Sequence, residues 1–240
     1  MTVIQENQAL KGCQYFALLN EEEAAVIQEN SYCRAYKKGQ VLFDAGDERN
    51  RMFILKKGFV KFEKIDQSGT LFYLNFVKDK AVFPLTGLFT DENYHFSAIA
   101  MTDIEVCYIS RKIFEKVIQG NNQQLLFYFN QISLTLKKHV LKIESCVTSS
   151  ASQRVKNTLA ILMHDLGEKN YFNQVVIPYP ILMNDISHSS GTTRETASLV
   201  IKKLVKKKKI QYLHKELIFF DPAYFSLDYD KYFPVFFLLC

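Results

Sequence analysis

The sequence predicts an α+β protein: a many-stranded β-domain, then a long helix, then a helix–turn–helix followed by a small β-hairpin. Three observations carry this expectation. Residues 36–111 fall into short apolar runs cut by the turn signals KKGQ, DAGD, KKGF, DQSG, VKDK and TDEN, the spacing of a sandwich or barrel of short strands. Residues 121–147 place Leu125, Phe129, Ile132, Leu136, His139 and Ile143 at alternating intervals of four and three, which is the seam of a two-stranded coiled coil. Residues 181–210 read as a helix, a tight turn and a second helix that ends in a run of lysines, the order of a helix–turn–helix unit.

Composition bounds the class. A chain of 240 residues is long enough for one large or two ordinary domains with their own cores. With 48% hydrophobic and 23% charged residues it is of ordinary globular type, and 14% aromatics point to well-filled cores. The net charge of +5 is concentrated: residues 181–215 hold eight Lys and Arg against Asp185 and Glu195, so +6, and the remainder sums to −1. Such asymmetry points to a local anionic partner rather than a generally sticky surface. The first ten residues carry polar residues and no apolar core, and no apolar run approaches membrane-spanning length, so a cytoplasmic protein with no membrane partner is expected. The apolar segment 234–240 is too short to span a bilayer and is expected to dock on the last domain. Five scattered cysteines (13, 33, 107, 146 and 240) without C-x-x-C spacing argue against a zinc site or a disulfide framework. Five histidines without i, i+4 pairing offer no metal ligands. Neither G-x-S-x-G, H-E-x-x-H nor a phosphate-cradling glycine loop occurs, so no enzyme is expected.

Along the chain, residues 1–35 read as a largely helical lead-in, with Glu21, Glu22 and Glu23 ahead of Ala24, Ala25, Val26 and Ile27 as a helix N-terminus prefers. Segments 41–43, 52–55, 59–62, 71–77 and 98–109 are the expected strands, and no helix of normal length fits until Ile113. The helix over 121–147 either pairs with a second copy or packs only on its own barrel. Pairing is favoured because helix–turn–helix proteins commonly bind as dimers. Residues 147–152, VTSSAS, form a small-residue hinge. A helix follows over 154–166, with Val155, Leu159, Leu162 and Met163 on one face and Gly167 as its stop. Segment 174–177 is a short strand, and 210–213 with 216–220 alternate around His214 and Lys215 as a hairpin, or wing.

In the helix–turn–helix, residues 184–188 carry the first helix, Ser189, Ser190 and Gly191 supply the bend, and Thr192 or Thr193 caps the second helix. At about 100° per residue, Ala197, Val200, Ile201 and Leu204 share one face, and Glu195, Ser198, Leu199, Lys202 and Lys206 the other. Arg194 and Glu195 occupy the first turn, where a helix in a major groove meets base edges. Arginine suits guanine and glutamate the cytosine amino group. Six lysines between 202 and 209, Lys202 and Lys203 first among them, suit phosphate backbone, and His188 on the first helix suits it too. The plainer reading is a packing motif whose charges are a solvated face.

Barrel, long helix and winged helix–turn–helix, with GTTRETAS opening the second helix, together resemble the Crp/Fnr family of bacterial transcription regulators. In the barrel, the stretches GQVLF (39–43), AGD (45–47), FIL (53–55), Lys57-Gly58, Phe62 and GLF (87–89) are similar to the cyclic-nucleotide-binding domain. The resemblance implies a sensory β-roll over 1–120, a dimerisation helix over 121–148 lined by Leu125, Phe129, Ile132, Leu136 and Ile143, and a DNA-binding domain over 149–240. It implies a homodimer on near-palindromic double-stranded promoter DNA, with RNA polymerase as a further partner if it activates. By position, Arg194, Glu195 and Ser198 would contact bases, and Thr193 and Thr196 phosphates. Leu199 stands where many members have arginine, which leaves an apolar group for a thymine methyl. Leu85 replaces the glutamate that holds the ribose of cyclic AMP, and His95 or Phe96 replaces the arginine on its phosphate. A buried phosphate would then lack its paired charge, so cyclic AMP is not expected as ligand. An iron–sulfur cluster needs four cysteines, of which only Cys13 lies near the N-terminus, and no cofactor is expected. Through relatives with a cysteine pair, the resemblance implies Cys13 and Cys107 as a dithiol switch, while Cys107 within EVCYI also fits a small buried hydrophobe. The residues around Phe83, Pro84 and 87–89 are most similar to the branch governing arginine deiminase operons in Gram-positive bacteria. A small-molecule-binding module acting on a protein partner is the alternative, and a cupin-like barrel enzyme is disfavoured because His95 is the barrel's lone histidine.

Overall fold

The computed structural model describes residues 13–65 and 71–225, so segment 234–240, with its expected docking, lies outside the described residues. The chain divides into two compact units, Met1–Thr135 and Leu136–Cys240.

In the first unit, a short turn of 3-10 helix, Gln14–Phe16, precedes α1, Glu21–Glu29. Asn20 starts α1 with a reciprocal cap: its side chain accepts from the Glu23 N–H, and the Glu23 carboxylate accepts from the Asn20 N–H. Eight strands follow: β1 (Ser31–Tyr36), β2 (Val41–Phe43), β3 (Arg51–Lys57), β4 (Phe59–Ile65), β5 (Leu71–Lys78), β6 (Ala81–Phe83), β7 (Ser97–Ala100) and β8 (Ile104–Ser110). They form two antiparallel four-stranded sheets, ordered β1-β8-β3-β6 and β2-β7-β4-β5. α2, Arg111–Gly120, leaves β8 directly, and α3, Asn122–Val147, follows it.

Strand β3 shows how the sequence builds this roll. Its side chains alternate in direction, as in any strand, yet four consecutive apolar residues occupy it because both faces are covered. Phe53 and Leu55 join a cluster with Phe43, Phe62, Phe83, Phe96 and Tyr94, drawn from both sheets. Met52 and Ile54 join another with Ile27 of α1, Phe114 and Ile118 of α2, and Tyr128 of α3.

Several expectations need correction here. Segment 31–35, assigned to a helical lead-in, belongs to β1, an edge strand paired with β8 from Ser31↔Ile109 to Tyr36↔Ile104. Its half-exposed SYCRAY sequence lacks the apolar run that marks a covered strand. Segment 98–109 is two strands, parted at residues 101–103, where Thr102 Oγ1 accepts from the Phe59 N–H at 3.1 Å. Pairing of β1 with β8 also sets Cys33 opposite Cys107, and these two form a disulfide across 74 residues of sequence. Cys13 is a buried free thiol. The pairing of Cys13 with Cys107 is overturned, since the partner of Cys107 lay in the unrecognised strand.

The second unit holds α4 (Ala151–Leu166), β9 (Glu168–Lys169), β10 (Val175–Ile177), α5 (Met183–Ser189), α6 (Arg194–Lys206), β11 (Ile210–Leu213) and β12 (Glu216–Phe219). Its sheet runs β11-β12-β10-β9. Gly167 does end α4, but at φ −76 it is not in the left-handed conformation typical of a glycine cap. A Cβ there would collide with the Met163 carbonyl and the Val175 side chain, so this glycine serves a close approach. Gly167→Ala is expected to destabilise by about 1–3 kcal/mol; urea denaturation measures it, and an unchanged midpoint would contradict the collision.

Candidate nucleic-acid interface

Two helices and one turn define the basic surface. The bend needs a left-handed residue, and Gly191 supplies it at φ +55. Buried Ser190 closes α5 by donating its hydroxyl to the Ile186 carbonyl at 2.7 Å. Asp185, also buried, accepts from the Leu182 N–H at 3.0 Å and so fastens the start of α5. Thr193 rather than Thr192 caps α6, its Oγ1 accepting from the Thr196 N–H at 3.2 Å. The Thr193 hydroxyl also donates to Thr196 Oγ1 at 3.1 Å.

Sequence reasoning missed Arg154 of α4. Its Nε donates to the Ser190 carbonyl at 3.0 Å, one terminal nitrogen donates to Gly191 at 3.1 Å, and the other to Thr148 at 2.9 Å. One guanidinium thus holds the turn and the segment before α4 together, satisfying carbonyls at the end of α5. Its position in a helical pattern gave only a charge on a polar face.

α6 has the two faces expected of it. Ala197, Val200, Ile201 and Leu204 are buried. Arg194, Glu195, Lys202, Lys203, Lys206 and Lys207 are exposed, Thr196 and Ser198 half-buried, and Leu199 is 59% exposed. Val205, farther along the helix, is 41% exposed as well. The Glu195 carboxyl is held below its ordinary value first by its own backbone N–H and then by the Thr193 hydroxyl, so it is an anion and an acceptor at neutral pH. His188 is exposed on α5.

Beyond α6 the hairpin turns through His214 and Lys215, at φ 51 and 72, the mirror-image turn that matches strand twist. The Tyr212 hydroxyl donates to the Ile181 carbonyl at 2.9 Å, and the Ile181 N–H donates to Lys215 at the same distance. These bonds fix the hairpin to the lead-in of α5.

On α3, Phe129, Leu136 and Ile143 are 64–65% exposed and Ile132 is 39% exposed, leaving an apolar row open. Leu125 departs from that row: it packs on the cluster of Ile27, Phe114 and Tyr128. Gln124 and Tyr128, on the same side of the helix, are buried beside it.

In the β-roll, Leu85 packs against the same cluster, Phe96 is buried in the aromatic core, and His95 pairs with Asp91 at 2.5 Å. None of the three is a cation directed into the roll. The buried arginine nearby is Arg49, 1% exposed, and it donates to the carbonyls of Gly87 at 2.9 Å and Pro84 at 3.3 Å. That places a guanidinium against the 84–89 loop, its terminal nitrogens shared among the loop carbonyls, Glu115 and the Met52 sulfur.

Against this geometry, residues 33–121 match the cyclic nucleotide-binding domain family. The chain is 27% identical over 184 residues to the HTH-type transcriptional regulator ArcR of Staphylococcus epidermidis, covering 76% of this chain and 79% of that protein. The chain is similar to transcription regulators of the Crp/Fnr type. Among solved structures, FixK2 from Bradyrhizobium japonicum superimposes with a TM-score of 0.68 at 17% identity, over 81% of this chain and 95% of that one. A CRP/FNR-family regulator from Thermus thermophilus gives 0.61 at 22% identity, over 80% and 95%. At such identities these two speak to the fold: a β-roll joined to a C-terminal helix–turn–helix. The ArcR of Staphylococcus aureus is similar too, 26% identical over 190 residues that cover 78% of this chain and 80% of that protein. These relatives are regulators rather than enzymes, and no helix among the described residues is long and apolar enough to cross a membrane.

Proposed function

We propose that the chain is a homodimeric, cytoplasmic, sequence-specific DNA-binding regulator that reads near-palindromic promoter sites with α6 and does not respond to cyclic AMP. Residues 1–120 serve as the sensory roll, 121–148 as the dimerisation helix and 149–240 as the DNA-binding domain, with RNA polymerase as a further partner if the protein activates. The observation that carries this reading is the sorting of α6: a buried apolar face, an exposed Arg194 and Glu195 in its first turn, and lysines behind them. A helix laid in the major groove uses those positions for base edges. Thr193, Thr196, Lys202, Lys203 and His188 then meet phosphates, Ser198 a base, and Leu199 a thymine methyl. The cyclic AMP clause is supported by Leu85, His95 and Phe96, none of which offers a paired charge to a buried phosphate. The aromatic rings support it too: Phe62 stacks on Phe96 at 4.5 Å and Phe53 on Phe83 at 5.4 Å, within the roll.

Gel-shift titrations at several salt concentrations test the assignment. Arg194→Ala is expected to lose about 1–3 kcal/mol and to relax sequence preference at one base pair. Lys202→Ala should weaken binding to all sequences alike and reduce the salt slope by about 1. Equal losses on every sequence from both variants would remove Arg194 from the base-reading role.

A further inference from the structure

Beside the recognition surface, α4 and α6 enclose a groove of about 140 Å³ lined by Ser152, Lys156, Lys203, Lys207 and Tyr224. Val200 and Leu204 form its apolar floor. Three lysines, a serine and a tyrosine thus line one concavity, with no acidic residue among its lining. The neighbouring acid is already engaged: Asp221 accepts from Lys209 at 2.7 Å, and that ammonium also lies 4.7 Å over the Tyr224 ring. Among the described residues, Lys156, Lys203 and Lys207 have no ion-pair partner.

At about 100° per residue, Lys203 and Lys207 fall on the flank of α6 shared with Thr196, roughly a quarter-turn from the outward row of Glu195, Leu199, Lys202 and Lys206. They stand one turn apart, about 6 Å along the axis. When the outward row enters a major groove, the flank faces the sugar–phosphate wall. Lysines near the end of α6 also offset its dipole, but that does not account for Lys156, which arrives from a different helix.

We propose that this groove seats a phosphate group, and that its source is the backbone of the same duplex that α6 reads. Resting on the DNA-binding reading above, it adds α4 to the interface through Lys156 and Ser152 and extends the contact past the base-reading turn.

The test uses the full chain, a duplex carrying its preferred site, and the variant Lys156→Gln/Lys207→Gln, with circular dichroism melting to confirm that it folds. The variant is expected to bind about 10-fold more weakly near physiological salt, equally on all sequences, with the salt slope reduced by about 2. Neutral methylphosphonates placed singly along the duplex should weaken the wild type at one or two positions and leave the variant indifferent there. An unchanged slope and no such position, in a protein that does bind the duplex, overturns the groove alone. Failure of the wild type to bind any duplex overturns the DNA reading and this proposal with it. Inorganic phosphate, matched in ionic strength with chloride, is expected to compete no better against the wild type than against the variant. Selective competition against the wild type would assign the groove to a free phosphate compound and overturn the DNA source.

Discussion

In the proposed homodimer, Leu136→Glu is expected to separate the two copies and to weaken binding to a two-half-site duplex by about 10²–10⁴-fold, the usual advantage of linking two binding events. Leu136 is 64% exposed, and substitution at such a position leaves stability within about 0.5 kcal/mol. The fold should therefore survive while the association fails. Phe129, Leu136 and Ile143 recur every seven residues, all open to solvent, with Ile132 between the first two. Burying each against a second copy contributes about 1.5–3 kcal/mol, and a glutamate in the middle of the seam both removes one such term and forces two like charges together. Sedimentation of wild type and variant measures the state, and gel shifts on one and two half-sites measure the consequence. A wild type that sediments as a single chain, or a variant that still dimerises and binds undiminished, would sink the assignment of this face. Leu125→Glu should instead damage the first unit, since that side chain packs on its core.

How far the sequence disclosed this protein depended on how much each signal resembled a rule with one physical cause. The faces of α6 were legible because burial sorts a helix at a fixed period, and all four of its inward residues are buried. The wing was legible from alternation around two residues. β1 was hidden because an edge strand covered on one side needs no apolar run, and with it went the position of Cys33 and so the disulfide to Cys107. Gly167 marked a helix end correctly for a reason the sequence does not contain, namely the closeness of Val175. Arg154 and Arg49 were invisible as structural centres, because a lone arginine in a sequence carries no sign of the carbonyls it will gather. The groove of Lys156, Lys203 and Lys207 likewise depends on how two helices cross, which spacing along either one does not reveal.

A second large effect is expected from Glu115→Ala: a loss of about 3–5 kcal/mol, the usual consequence of stranding one member of a buried ion pair. Glu115 accepts from Arg49 at 3.3 Å, and the same oxygen accepts from the Phe89 N–H at 3.1 Å. Burial pushes the Arg49 guanidinium down from its ordinary pKa, and Glu115 pulls it back up; arginine stays charged at any pH of interest. Without Glu115, that charge would remain 1% exposed, held by carbonyls and the Met52 sulfur and repelled by Arg111, which itself pairs with Glu115 at 3.9 Å. The loop it holds, through Pro84 and Gly87, is the one in which Leu85 stands where cyclic-AMP-binding relatives are expected to carry their glutamate. Thermal melting should show a fall in Tm of about 10 °C for a chain of this size. Glu115→Gln, which keeps an acceptor for Phe89 and removes only the charge, should fall between the two. Arg49→Leu/Glu115→Leu should recover much of the lost stability, because a buried pair replaced by apolar side chains is often neutral. If Glu115→Ala melts within a degree or two of the wild type, or if the double variant is worse than both single changes combined, the pair does not hold the loop in the way its geometry indicates.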